Sequence, residues 1–260
     1  MTSRRGAGGE RTSVAAMVVL LTLVAASGAR GQSLAQRVER VRDGKVRMSY
    51  ATRPEVCGNG HNISIARATG DWESDCQHGP ARVVLDWRGG KLVKVDTYVG
   101  GRWRELGDTV TDLGTVGASE AAAYLLDLAS RVPGEVGDKL VFPATLADSA
   151  IVWPQLVKLG RDASIPRETR KSAVFWLGQA AGAEITRALG GLIDDTSERE
   201  IQQQAVFALS QHKSDDAVPM LIRVAREHRD PDIRKSAMFW LGQTGDPRAV
   251  AFFEEILTGH

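Results

Sequence analysis

The spacing of apolar residues divides the chain into two parts. Between Lys45 and about Leu113 it follows the period of two that strands impose, because successive side chains point to opposite faces. Lys45–Tyr50 and Asn62–Ala66 are short β-prone runs; Ala81–Trp87 and Lys91–Val99 are longer ones. In the last run Val93, Val95, Thr97 and Val99 alternate with Leu92, Lys94, Asp96 and Tyr98, which predicts one face on a small core and one mostly wet face. Arg88, Gly89 and Gly90 join the two long runs, and a Gly-Gly centre supplies the positive φ of a tight hairpin. Arg102–Leu106 is expected to add a strand after Gly100 and Gly101, and Ser33–Val41 reads as a short helix.

From Gly117 the period becomes helical. Ser119 stands as a cap ahead of the Ala/Leu-rich run Glu120–Ser130. Gly134–Pro143 interrupts it, and from Ala147 to the end nearly everything is helical with short turns. Within this part three segments superimpose: Arg170–Gln179, Gln202–Gln211 and Arg234–Gln243. The spacing is 202 − 170 = 32 and 234 − 202 = 32, without a gap. The amphipathic helices Glu184–Ile193, Ala217–Arg226 and Ala249–Leu257 lie between and after them, and Ile151–Leu159 supplies the first partner. Leu189, Leu221 and Phe253 keep the same period, as do Leu192, Val224 and Ile256. Helix pairs of this length stack into an α-solenoid, each unit burying its apolar face on its neighbours. Ala173, Ala205 and Ala237 allow close approach, and Leu177, Leu209 and Leu241 fill the core between units. Gly178 and Gly242 suit helix ends, and Asp230 with Pro231 forms a cap and first turn.

The motif Ile233-Arg234-x-x-Ala237-x-x-x-Leu241-Gly242 and its copies resemble HEAT repeats, of the short bacterial type also seen in phycobilisome-lyase-like HEAT proteins. The resemblance covers residues ~147–260, most clearly Ile151–Leu257, and leaves the β-rich half unassigned. It implies a curved, right-handed α-α superhelix used for protein–protein contact. Enzymatic HEAT proteins such as deoxyhypusine hydroxylase hold iron with His-Glu pairs. None of His61, His78, His212, His228 and His260 is followed by Glu, and that departure argues against iron chemistry.

A helical wheel selects the face for such contact. With Thr169 at 0° and about 100° per residue, Ala173, Trp176 and Leu177 define a core arc near 30°, and Phe175 falls near 240°. On this wheel Trp176 and Trp240 belong to the core. Phe175, Phe207 and Phe239 form a stripe, with Lys171, Gln203 and Lys235 one turn earlier and Gln179, Gln211 and Gln243 one turn later. Aromatic residues in register are one form of binding surface; lateral packing between second helices explains the same residues without a ligand.

The N-terminus changes the expected compartment. Arg4, Arg5 and Arg11 precede an apolar run from Val14 to Ala26, and small residues follow. That is the pattern of a secretory signal over residues 1–31, with a run too short to span a bilayer comfortably. The expected localisation is exported, periplasmic or secreted. Residues 1–31 carry Arg4, Arg5, Arg11 and Arg30 against Glu10, so removing +3 from a net charge of +1 leaves −2. A weakly acidic chain gives no electrostatic reason to expect a nucleic-acid partner, and no stable membrane insertion is expected once the signal is cleaved.

Cys57 and Cys76 are the only cysteines. In an exported chain an even pair reads first as a disulfide. Together with His61 and His78 they also form a set of two thiolates and two imidazoles, chemically acceptable to zinc but at a spacing that matches no structural zinc pattern. No Gly-x-Ser-x-Gly, His-Glu-x-x-His, Walker A or EF-hand motif appears. Asp194, Asp195, Glu198 and Glu200 read as solvated acids at helix ends. The expectation is an α-rich two-part chain: a small β-rich domain at 32–115 with a Cys57–Cys76 bridge, then a HEAT-repeat α-solenoid at 116–260. Its function is a non-enzymatic, exported scaffold without a cofactor that binds another protein. The alternative is an enzyme or lyase-like accessory protein with chemistry near Cys57, His61, Cys76 and His78.

Overall fold

A four-stranded sheet lies between a short first helix and the run of later helices. The computed structural model describes residues 32–65, 76–107 and 109–259. The expected signal sequence at 1–31, Ala66 of the second β-prone run, and His260 lie outside them. A short helix, α1 (Leu34–Glu39), is closed by a capping box between Ser33 and Gln36. The strands are β1 (Gly44–Tyr50), β2 (Cys57–Gly58), β3 (Ile63–Ser64), β4 (Ala81–Arg88), β5 (Lys91–Val99) and β6 (Val110–Thr115). The main sheet has the order β5-β4-β1-β6, with β1 antiparallel to β4 and parallel to β6; β2 and β3 form a separate ribbon.

The β4–β5 hairpin turns through Gly89 and Gly90 at φ 56° and 72°, the left-handed values that the Gly-Gly pair predicts. The strict alternation expected along β5 fails at its start. Trp87 pairs with Leu92 and Asp86 with Lys94, so Val93 is the extra residue of a bulge and is exposed while Leu92 is buried. Arg102–Leu106 is not a strand. The next strand of the sheet is Val110–Thr115, which pairs in parallel with distant β1 at the edge opposite β5.

Ten α-helices lie among the described residues, and all but the one at Val141–Thr145, which starts inside the expected break at Gly134–Pro143, follow the sequence pattern. They continue with α2 (Ala118–Arg131), α3 (Val141–Thr145), α4 (Trp153–Arg161), α5 (Arg167–Gly178), α6 (Ala183–Asp195), α7 (Arg199–Gln211), α8 (Ala217–Glu227), α9 (Pro231–Thr244) and α10 (Pro247–Thr258). Ser119 is not the cap of α2; the chain enters the helix through Gly117, and Ser119 lies inside the first turn. Asp230 caps α9 by accepting the Asp232 backbone N–H, and Asp246 caps α10 by accepting that of Arg248.

The helices pair as α4 with α5, α6 with α7 and α8 with α9. Second helices stack in the order α3, α5, α7, α9, and first helices in the order α4, α6, α8, α10. Gly178 and Gly242, equivalent in the repeat, have different roles. A Cβ on Gly178 would lie 2.8 Å from the Ala208 Cβ and carbonyl oxygen, so glycine sets the approach of α5 to α7. Gly242 lies inside α9 with open space beside it, and α9 ends instead at Gly245 in the left-handed conformation.

A repeated polar contact ties each second helix to the preceding first one. Arg170, only 2% exposed, donates to the carbonyl of Gly160 near the end of α4 and pairs with Glu198 of the next unit. Gln202 donates to Ile193 O near the end of α6 at 2.8 Å, and Arg234 to His228 O after α8 at 2.7 Å. These side chains satisfy carbonyls that a helix end leaves without an internal partner. Of the acids expected to be solvated at helix ends, Glu200, Asp194 and Asp195 are exposed, and they also pair between units. Glu200 pairs with Arg167 at 2.8 Å, Asp194 with Arg223 at 2.9 Å, and Asp195 with Arg161 at 3.3 Å.

One apolar core runs from Leu34 to Phe252, through the sheet and across the 115/116 boundary. Tyr50 on β1 donates its hydroxyl to Pro143 O at 2.7 Å inside this core, and burial raises its phenol pKa so that it stays a donor. The segment after β1 is pinned to the helices by Arg53 N–H to Leu146 O at 3.0 Å and Asp148 N–H to Ala51 O at 2.9 Å. No helix among the described residues is long and apolar enough to cross a membrane.

Candidate protein-docking face

The aromatic residues of the second helices join into one continuous ladder. Phe142 on α3 stacks on Trp176 of α5, ring centroids 4.7 Å apart. Trp176 meets Phe175 edge-on at 5.0 Å, and Phe175 stacks on Phe207 of α7 at 6.3 Å. Phe207 contacts Trp240 of α9 at 4.8 Å, and Trp240 meets Phe239 at 5.0 Å. Six rings on four successive helices thus touch in series. Offset and edge-on contacts are the arrangements that the ring quadrupoles favour.

Phe175 and Phe207 touch across neighbouring second helices, the lateral packing that also explains the stripe. Phe175 and Phe207 are half-buried by their stacking, and Phe239 at the end is 59% exposed. Gln179, Gln211, Gln243, Gln203 and Lys235 are exposed, and Lys171 is half-buried. Lys171 pairs with Glu168 at 3.4 Å, and Lys235 lies 3.8 Å from Asp232.

Trp176 and Trp240 differ from expectation. Both are half-buried members of the ladder rather than core residues. The buried side of α5 is Thr169, Arg170, Ala173, Val174 and Leu177, which turns the core arc away from Trp176. Their place in the ladder was hinted at by the repeat itself, which alternates Trp176, Ala208 and Trp240. Ala208 is buried against Gly178, and that close contact brings α7 near enough for Phe175 and Phe207 to stack.

The ladder runs into a cleft beside the segment after β1. Two adjoining cavities of about 320 and 310 Å³ share Arg53, Trp176, Gln179, Ala180 and Ala181. Glu184 closes one; Glu55, Gln211 and Lys213 line the other. Arg53 lies 3.4 Å from Glu55 and is held over the helices by the backbone pairing of its own segment. Arg53 and Phe142 had no sequence signal, because only the fold brings them beside the repeats. His212, at the cleft wall, is buried with both ring nitrogens 3.2 Å from carbonyl oxygens, of Gly178 and Gly182. That is a structural contact between units.

Cys57 and Cys76 are joined in a disulfide, with Cα atoms 5.3 Å apart. Both sulfurs are used in it, so no pair of thiolates faces His61 and His78. His61 is exposed, and His78 approaches Val56 O through Nδ1 at 3.1 Å. Among the described residues no three His, Cys, Asp or Glu side chains gather as metal ligands.

Residues 188–259, from the second half of α6 through α10, match the family model for HEAT repeats. That segment carries HEAT repeats, and helix pairs extend the same register upstream to Arg170. Such repeats point to a protein-interaction scaffold. No curated protein matches the chain.

Proposed function

We propose that this HEAT-repeat protein is an exported, non-catalytic scaffold that docks another protein on the aromatic face of its second helices. The ladder from Phe142 to Phe239 is the observation that carries this reading. Aromatic side chains lose little rotamer entropy on contact and bury large areas, so they dominate binding energy where they are clustered. Here the rings are already ordered by one another, which lowers the ordering cost of association. Gln179, Gln211 and Gln243 border the rings with donors and acceptors that suit a polar rim. The N-terminal pattern of residues 1–31 and the Cys57–Cys76 bridge support an oxidising, exported setting.

Capture from envelope extract tests the proposal. Proteins retained by the wild-type chain should be lost when the bait carries Phe239→Ala together with Gln211→Ala, since both positions are exposed and the fold is untouched. Retention of the same proteins by both baits contradicts it.

A further inference from the structure

The aromatic ladder carries hydrogen-bond donors along its length and leaves most of them unspent. Neither Trp176 nor Trp240 gives its indole N–H to any described residue. Gln179 and Gln243 follow Phe175 and Phe239 by one helical turn on the same face, and their exposed amides have no partner among the described residues either. Gln211 holds the same place beside Phe207 and spends one donor on Ser210 Oγ at 3.3 Å. The face is also close to neutral. Lys171 pairs with Glu168, Lys235 lies beside Asp232, and Arg53, where the row meets the cleft, lies beside Glu55. The row therefore presents rings in series, N–H donors beside them, and cations already answered by carboxylates. What complements it is a segment with apolar faces, acceptors along its length and no charge of its own.

We propose that the partner presents an uncharged, proline-rich segment in the polyproline II conformation, laid along the ladder across α5, α7 and α9. The inference rests on the docking face proposed above and names the chemistry that the face reads. A helical segment spends its carbonyls on its own backbone and turns none of them toward a row of donors. A β-strand brings N–H groups as well as carbonyls and needs another strand to pair with, whereas α5, α7 and α9 have already paired their backbones. Polyproline II makes no internal hydrogen bonds, so every carbonyl is free to accept, and at proline there is no N–H to satisfy. Its rings lie against aromatic faces, and its backbone is extended before it binds, so little chain entropy is lost. Trp176 and Trp240 supply both halves of this recognition, a ring to pack on and an N–H to give.

Fluorescence anisotropy of a fluorescein-labelled decaproline peptide, titrated with the full chain, tests the inference. Saturable binding is expected below about 1 mM, and a labelled glycine-serine peptide of equal length should show none. Phe239→Ala should weaken decaproline binding about tenfold, as loss of an exposed aromatic anchor does. Trp240→Phe keeps a ring against Phe207 and removes the N–H, and should weaken binding about fivefold, the worth of one hydrogen bond. Arg187→Asp, at an exposed position on α6, should leave binding intact. Absence of decaproline binding overturns the inference. So does binding that neither Phe239→Ala nor Trp240→Phe weakens, or tighter binding of an amphipathic helical peptide of the same length. The docking face itself is judged separately. Capture from envelope extract that depends on Phe239 and Gln211, with no binding of decaproline, keeps the face and removes the proline-rich segment; capture indifferent to both positions removes the face.

Discussion

Phe175 and Phe207 occupy the same position in successive units, and their rings stack 6.3 Å apart with planes 13° from parallel. One contact therefore links neighbouring units and leaves ring edges at the surface. On the proposed docking face, stability and recognition would share these side chains.

Phe207→Ala should lower stability by about 1–2 kcal/mol, less than the ~3–5 kcal/mol of a fully buried Phe. A double-mutant cycle with Phe175→Ala, followed by urea unfolding, should give a coupling of about 0.5–1.5 kcal/mol. Strict additivity would mean that the stack contributes nothing.

Gly178 and Gly242 offer a paired test. Gly178→Ala drives a methyl into Ala208 and should cost about 1–3 kcal/mol. Gly242→Ala meets nothing within 4 Å inside a helix and should stabilise by about 0.5–1 kcal/mol. Equal effects on the melting temperature would contradict the different roles assigned to them.

The repeat was legible because the contacts of one unit recur in the next, so one apolar pattern was written three times. The sheet was legible as far as local pairing carries it. The β4–β5 hairpin showed in Gly89 and Gly90, but β6 is specified by distant β1, and its Asp112 and Gly114 dilute the apolar pattern. Arg170 reads as a surface cation until the Gly160 carbonyl and the Glu198 carboxylate are seen around it. That buried arginine also displaced the wheel, since leaving it out of the core arc brought Trp176 in. The aromatic stripe was visible as a period, but its extension to Phe142 and Arg53 needs the packing of α3 and the strand segment beside the repeats.

The start of α10 should respond to acid. The Arg248 guanidinium, and then its backbone N–H, hold the Asp246 carboxyl down at about 2. A depressed pKa gives stability that is fully present above the unfolded value of 3.8 and is lost as pH falls through about 2. The melting-temperature gap between wild type and Asp246→Ala should be constant from pH 7 to 5 and narrow as pH falls from about 4 toward 2. A gap that does not change with pH would show that the carboxylate's charge is not what matters.

The bridge across 19 positions should stabilise the fold by about 3 kcal/mol through loop closure. The denatured, unreduced chain should titrate with no free thiol, and Cys57→Ser should melt lower and expose one thiol. Two titratable thiols in the wild type would remove the bridge from the account.

The central claim is that the partner sits on the second-helix face. Photo-crosslinking from single positions tests it most directly, with benzoylphenylalanine placed at Phe239, Gln211 or, for comparison, Arg187 on α6, all of them exposed. The account predicts that Phe239 and Gln211 give the same partner adduct in envelope extract and that Arg187 gives none. An adduct from Arg187 with none from Phe239 and Gln211 would contradict it.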